Sequence, residues 1–358
     1  MTLSQGDRFD GRYNVLRLVE RGGIALVYEV AVVEHIGRRL LLKVPRPVFA
    51  SDPRALDLFT RERLAFANLT SEHVVRVVEH GLGPDGPWML TERCEGEPLS
   101  RRVARRGPLS WSDARRVLGE AGDALSAAHA QGVLHLDLRP ENVLLVRDGE
   151  TARERVMVVD FGLSSAAMEL ASELTSTPPR TRPAWMAPEQ HDRSAYPDAR
   201  ADVWTYGLLA FWSLTGRAYW STVDADGHAS DVSELLREVR GERHPASFRA
   251  IALEVADRLP AGFDAWFARC VANDPNARFD DLASASAALD EVFATASGPE
   301  RPSVARTPAV AFDPLVSGPA YRAPTFTVTL PVTAPAATPS LLVRALRWIR
   351  GASTLRRE

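Results

Sequence analysis

Apolar and polar residues alternate from Arg12 to Glu20, the two-residue period of a half-buried strand. A turn at Arg21-Gly22-Gly23-Ile24-Ala25 leads to a second run, Leu26-Val27-Tyr28-Glu29-Val30, and the pair predicts a hairpin. Leu40 to Val44 reads as a third strand. Asp52-Pro53 then opens a helix, with Asp as cap, Pro in the first turn, and Leu56, Phe59 and Phe66 along its apolar face. Two further strands follow at Val74 to Glu79 and Trp88 to Glu92, joined by a Gly/Pro turn.

Later in the chain the period changes. Ser110-Trp111-Ser112-Asp113 starts a helix, and Ala114, Val117, Leu118, Ala121, Leu125 and Ala128 recur at helical spacing over 111–130. Val143 to Leu145 reads as a strand, and another apolar run ends at Val158-Val159-Asp160-Phe161-Gly162. Leu208 to Leu214 is apolar all round, which predicts a buried helix, and helices continue to about residue 296. From 297 to 339 the pattern stops. Nine prolines among Ser, Thr, Ala and Gly cannot build a core, so this stretch reads as a flexible linker. In the last segment, 340–358, Leu342, Leu346 and Ile349 share one face and Arg344, Arg347 and Arg350 another. Residues 341–350 thus form a short basic amphipathic stretch suited to a peripheral membrane contact or a partner; a frayed helix with neither is the plainer alternative.

Composition narrows the class. A chain of 358 residues can bury one large or two smaller cores, and 45% hydrophobic with 25% charged residues is usual for a soluble globular protein. A net charge of -3 argues against a dedicated nucleic-acid surface. Cys94 and Cys270 lie far apart without metal-ligand spacing, which points to a reducing, cytoplasmic setting. No basic-then-apolar leader is present, and no run of about 18 apolar residues occurs, so no spanning segment is expected.

The candidate chemistry sits in His135-Leu136-Asp137-Leu138-Arg139-Pro140-Glu141-Asn142 and in Asp160 at the end of the following apolar run. One loop and one strand end bring Asp137, Asn142 and Asp160 to a single place. Two oxygen ligands for Mg²⁺, and one carboxylate left to orient a hydroxyl, are the groups that phosphoryl transfer needs. Of the 43 basic residues only Lys43 is lysine. A compact ammonium on a flexible stem serves a phosphate differently from a planar guanidinium, so the one retained lysine marks a position that requires it.

These stretches resemble the catalytic loop H-R-D-L-x-x-x-N and the D-F-G loop of the eukaryotic-type (Hanks-type) serine/threonine protein kinases widespread in bacteria. Trp185-Met186-Ala187-Pro188-Glu189 is similar to the family's Y-M-A-P-E, and Asp274-Pro275-Asn276-Ala277-Arg278 to its D-P-x-x-R. The resemblance covers residues 12 to about 296. It implies an α+β, bilobal fold: a lead-in at 1–11, a small antiparallel-sheet N-lobe with one main helix at about 12–92, and a larger, mostly helical C-lobe at about 97–296. It also implies transfer of the γ-phosphoryl of ATP to protein hydroxyls with Mg²⁺, or Mn²⁺ in its place. In that reading Lys43, held by Glu62, positions the α and β phosphates, and Asn142 and Asp160 hold the metal. Asp137 orients the hydroxyl and accepts its proton, while Arg139 stands toward the γ-phosphate where the family often has lysine. Nucleotide contacts are implied at Val19, Gly22, Gly23, Val27 and Lys43. The backbone from Glu92 to Cys94 meets the adenine edge, and Thr91 sets the depth of the pocket. Asp202 would hold the catalytic-loop backbone, Arg278 would form a buried pair with Glu189, and His135 would pack rather than act as a base.

Four positions in three features depart from the family pattern. Leu136 replaces the loop arginine, Glu20 and Ala25 replace two glycines of the glycine-rich loop, and Arg182 replaces a threonine that bonds the catalytic loop. They keep a second reading open, a pseudokinase that binds nucleotide or scaffolds with little or no transfer. Arg182 is then a partial latch on Asp137. Ser164, Ser165, Ser172, Thr175, Ser176, Thr177 and Thr181 supply candidate phosphorylation positions. The protein substrate is not named by the sequence.

Overall fold

The computed structural model describes residues 2–21, 25–35, 37–50, 52–83, 86–147, 154–161, 183–192, 197–224 and 229–296. The side chains of Arg61, Glu62 and Ala65 lie outside that description, as do Gly22, Gly23, Arg182, the seven candidate phosphorylation positions, the linker at 297–339 and the segment at 340–358.

Strands β1 (Arg8–Phe9), β2 (Tyr13–Arg21), β3 (Ala25–Val32), β4 (Arg39–Pro45), β5 (Val77–Gly83) and β6 (Gly86–Glu92) form one antiparallel sheet in the order β1-β2-β3-β4-β6-β5. Side-chain alternation assigns its faces. Leu26, Tyr28, Val30, Leu40, Leu42, Val44 and Leu90 turn one way and close a small core with Val15, Trp88 and Leu3. Each fully buried member contributes about 1.5–3 kcal/mol by leaving water. The other face carries Val27 opposite Lys43 opposite Met89, with Leu41 opposite Thr91 one step along. Helix α1 (Pro53–Ala67) starts as expected. Asp52 accepts from the N–H of Arg54 at 2.8 Å, and the helix lies against β5 and β6 with Phe59 and Phe66 buried.

Two expectations need correction here. The stretch at 1–11 is more than a lead-in: Arg8–Phe9 adds a strand to the sheet. Leu3 is buried beside Tyr28, whose hydroxyl accepts from the Leu3 N–H at 3.1 Å. The strand expected at Val74 to Glu79 begins at Val77. Val74 instead forms an isolated parallel bridge to Val158, because the His73 carbonyl accepts from the Val158 N–H at 2.8 Å and His73 Nδ1 contacts the Val156 carbonyl at 3.0 Å.

After the sheet, β7 (Gly96–Pro98), β8 (Val143–Arg147) and β9 (Glu154–Val158) form a second, three-stranded sheet. Around it stand α2 (Leu99–Arg106), α3 (Trp111–His129), α4 (Ala199–Thr215), α5 (Val232–Arg240), α6 (Ala246–Ala252), α7 (Phe263–Cys270) and α8 (Leu282–Thr295). Every apolar position predicted on α3 is buried. Helix α4 is buried nearly all round, as its apolar run predicts. Gly207 lets α7 approach it, since a Cβ there would stand 2.6 Å from Cys270 Cβ. Gly216 closes α4 in the left-handed conformation at φ 65°, a shape that favours glycine.

Candidate active site

The loop between α3 and β8 is fixed from below by a buried carboxylate. Asp202, on α4, is fully buried and accepts from the N–H of His135 at 2.8 Å and of Leu136 at 2.7 Å. His129, in the last turn of α3, lies 2.7 Å from the same carboxylate through Nε2. Burial alone would push the Asp202 carboxyl up. The hydrogen bond and charge of His129, with the charge and backbone N–H of His135, outweigh it and hold the group below the usual carboxylate range. His135 itself packs: it is fully buried, its ring centroid is 4.6 Å from that of Phe161, and its Nε2 is 3.0 Å from the Val159 carbonyl.

On this base stand the chemical groups. Asn142 Nδ2 donates to the Asp137 carbonyl at 2.8 Å and lies 3.4 Å from the Asp137 carboxylate, whose Oδ2 also accepts from Arg139 Nε at 3.1 Å. The Val159 N–H donates to the Asn142 carbonyl at 2.9 Å, so strand β9 delivers Asp160 beside Asn142. Asp160 has a positive φ of 61° and is exposed at the mouth of the site. Burial would pull the Arg139 guanidinium down, but the carboxylates of Asp137, Glu141 and Asp160 outweigh it and raise it.

The N-lobe sheet forms the opposite wall. Glu20, Val27, Lys43 and Met89 occupy one row across four strands, so the only lysine and the carboxylate of Glu20 share a face. Glu20 remains open to water, yet protein atoms crowd it enough that burial is the first cause raising its carboxyl. Asp160 and Asp137 push it further up, while Lys43 and Arg139 pull the other way. Both lobes therefore converge here: one side chain feels Lys43 from the sheet and Asp137, Arg139 and Asp160 from the loops. Val27 is half-buried in the row, and Val19 lies open at a bulge between Leu18 and Glu20. Thr91 is buried opposite Leu41. The Glu92 N–H is taken by the Arg76 carbonyl at 3.0 Å, and no backbone hydrogen bond among the described residues uses the Cys94 peptide. Glu62 lies on α1, with its side chain outside the described residues.

The donor set suits a hard cation. With its Nδ2 engaged by Asp137, Asn142 keeps an amide oxygen as a ligand, and its backbone carbonyl is bonded to Val159, the residue before Asp160. Mg²⁺ is usually held in this way, by one or two protein oxygens plus waters and phosphates. No cluster of three or more His, Cys, Asp or Glu occurs among the described residues.

Three contributors escape periodicity and motif. His129 precedes the loop by six residues. Gln190 directly follows Ala187-Pro188-Glu189, and its Nε2 donates to the Leu136 carbonyl at 2.9 Å. Arg93, between β6 and β7, lies 3.2 Å from Glu29, a carboxylate only 2% exposed and also paired with Arg17 and Arg39. For Gln190 the signal was its place next to a motif. For Glu29 it was a lone acid in an otherwise apolar strand.

The geometry can be set beside known proteins. The profile of the protein kinase domain matches residues 13–293. The chain is 29% identical, over 80% of its length, to the probable serine/threonine-protein kinase pknA2 of Bifidobacterium longum, and spans 35% of that protein. It is 31% identical, over 81% of its length, to serine/threonine-protein kinase PknL of Mycobacterium tuberculosis, of which it spans 68%. In three dimensions it resembles the PknI kinase domain of Mycobacterium tuberculosis, with a TM-score of 0.57 and 25% identity over 82% of this chain and 100% of that one. The family profile covers more than half of the chain, the fold is shared with these kinase domains, and the chain belongs to the protein kinase domain family.

Proposed function

We propose that this chain is an ATP-dependent protein serine/threonine kinase. The observation that carries the reading is the bonded loop of Asp137, Arg139 and Asn142, with Asp160 following Val159 beside it, near the sheet row that holds Glu20 and Lys43. Lys43, with Glu62 assigned as the carboxylate that holds it, positions the α and β phosphates of ATP; the adenine edge is assigned to the backbone of residues 92 to 94, with Val19, Val27 and Thr91 around it. Gly22 and Gly23 cover the phosphates. Asp137 orients the substrate hydroxyl and takes its proton as the new oxygen–phosphorus bond forms and ADP departs. Arg139 faces the charge that develops on the transferred group. Asn142 and Asp160 hold Mg²⁺, with Mn²⁺ as the alternative, which neutralises phosphate charge when bound.

The same reading assigns residues 12–296 to the catalytic domain, 297–339 to a linker and 340–358 to a basic tail for a membrane surface or partner. Among the described residues no helix is long and apolar enough to cross a membrane. Cys94 and Cys270 are both free thiols, which suits a reducing cytoplasm. The test is label transfer from γ-labelled ATP to a generic basic protein, with Asp137→Asn and Lys43→Ala alongside. Label in wild type that vanishes in both variants supports the reading. No label, with nucleotide still raising the melting temperature, returns the pseudokinase alternative.

A further inference from the structure

The peptide joining Leu136 to Asp137 is pinned at both ends. Leu136 is a buried leucine with φ 61°, a left-handed conformation that costs any residue with a Cβ. Its N–H is held by Asp202 at 2.7 Å. Its carbonyl accepts from Gln190 Nε2 at 2.9 Å. On the other end of the same peptide, the Asp137 N–H donates to His135 Nδ1 at 3.3 Å, a long bond. The rotation of this peptide plane sets the direction in which the Asp137 side chain leaves the backbone. Of the two bonds on the plane, the one from Gln190 is the shorter.

Gln190 is itself well placed to act as a strut. Its N–H donates to the Ala187 carbonyl at 2.9 Å, and its Oε1 accepts from the Ala187 N–H at 2.9 Å. These reciprocal bonds fix the side chain on the end of the Ala187-Pro188-Glu189 segment. That segment is anchored in turn by the Glu189–Arg278 pair at 2.7 Å and by Trp220 Nε1 donating to the Ala184 carbonyl at 2.6 Å. Only the amide N–H₂ of Gln190 reaches across to the loop. Leu136, unlike an arginine, has no polar end with which to hold itself, and its backbone shape is unfavourable without outside support.

We propose that Gln190 is a positioning residue for Asp137: it holds the Leu136 carbonyl so that the left-handed turn persists and the carboxylate points at the substrate hydroxyl. The proposal deepens, and rests on, the transfer reaction assigned to Asp137 above.

The test uses the full chain and two readouts. In Gln190→Ala, kcat is expected to fall roughly 10- to 100-fold, the scale of a misplacement near 1 Å, with KM for ATP little changed. Gln190→Glu keeps the acceptor for Ala187 but cannot donate to Leu136, so it should lose kcat as Gln190→Ala does; a Gln190→Glu enzyme with wild-type kcat overturns the proposal. Adding Leu136→Gly to Gln190→Ala should recover part of kcat, because glycine adopts the left-handed conformation without a Cβ. The second readout is amide hydrogen exchange, which needs no catalysis. Exchange across 134–142 should quicken in Gln190→Ala while the rest of the C-lobe keeps its protection. A uniform loss of protection with a lowered melting temperature would reduce Gln190 to a structural part and overturn the role, as would unchanged exchange. If wild type transfers no more label than Asp137→Asn, the assigned reaction fails, and the exchange data still decide whether Gln190 holds the loop.

Discussion

Removing the charge of Glu189 should destabilise the C-lobe by about 3 kcal/mol, the low end of the range for breaking a buried ion pair. The structure sets that end of the range. Arg278 is 1% exposed, so its guanidinium cannot turn to water. It makes four bonds: two to Glu189 at 2.7 and 2.8 Å, one to the Ala272 carbonyl at 2.8 Å and one to the Arg200 carbonyl at 2.9 Å. In Glu189→Gln the two carbonyls remain, and the guanidinium keeps its contact with the Trp204 ring, 5.0 Å from its centroid. Arg278→Met should cost more, about 4–5 kcal/mol, because it strands a carboxylate that is only 13% exposed and orphans both carbonyls. Urea titration followed by circular dichroism reads the difference, and a midpoint shift of about 1–2 M is expected for losses of this size. A double variant, Glu189→Leu with Arg278→Met, should lose clearly less than the sum of the two single changes, since no charge is left buried. A loss below about 1 kcal/mol in Glu189→Gln would place the pair with exposed salt bridges and refute the reasoning.

Other consequences can be checked directly. Glu20→Gly should lower KM for ATP about three- to tenfold, the scale of about 1 kcal/mol of phosphate repulsion at aqueous dielectric, and an unchanged KM would mean that its carboxylate does not face the phosphates. Arg139→Ala should cut kcat roughly 10²–10³-fold in the transfer assay if the guanidinium meets the developing charge, and full activity would exclude it from that role. Burial, with Arg240 nearby, lowers the His191 imidazole below its usual value. The unfolded chain therefore binds a proton first as pH falls, and stability should decline below about pH 6.5, by no more than about 1.4 kcal/mol per unit. His191→Gln should flatten that part of a pH–stability curve. Anionic vesicles should sediment the full chain but leave a chain ending at residue 296 in solution; equal binding by both removes the tail from consideration.

The parts of this molecule that sequence makes legible are those whose cause is local. Alternation on the sheet strands, helical spacing on α3 and the apolar run of α4 each report burial of a single element, and apart from the strand expected at Val74, which begins at Val77, these elements formed where their patterns lay. The gathering of Asp137 and Asn142 in one loop, with Asp160 following from β9, was legible too, because these residues are close in sequence to the strands that carry them. Contacts between a side chain and a distant backbone leave no period to detect. Gln190 reaches the Leu136 carbonyl across 54 positions, and His129 meets Asp202 across 73. Arg93 and Glu29 likewise pair across a long stretch of chain, which no local pattern reports. Leu3 was unreadable for another reason: one leucine in a polar start is indistinguishable from an exposed one until Tyr28 is seen beside it.

The bridge between Val74 and Val158 bears on how the two lobes move. The chain crosses between them at residues 93 to 95, and a single crossing of that kind would act as a universal joint. The His73–Val158 and His73–Val156 bonds add a second attachment away from the first. Arg155 Nη1 donating to the Glu72 carbonyl at 3.5 Å and Phe66 packed on Phe161 belong to the same seam. The segment ahead of β5 is thereby tied to β9, the strand that leads to Asp160, and any shift of one lobe against the other must carry these contacts along or break them.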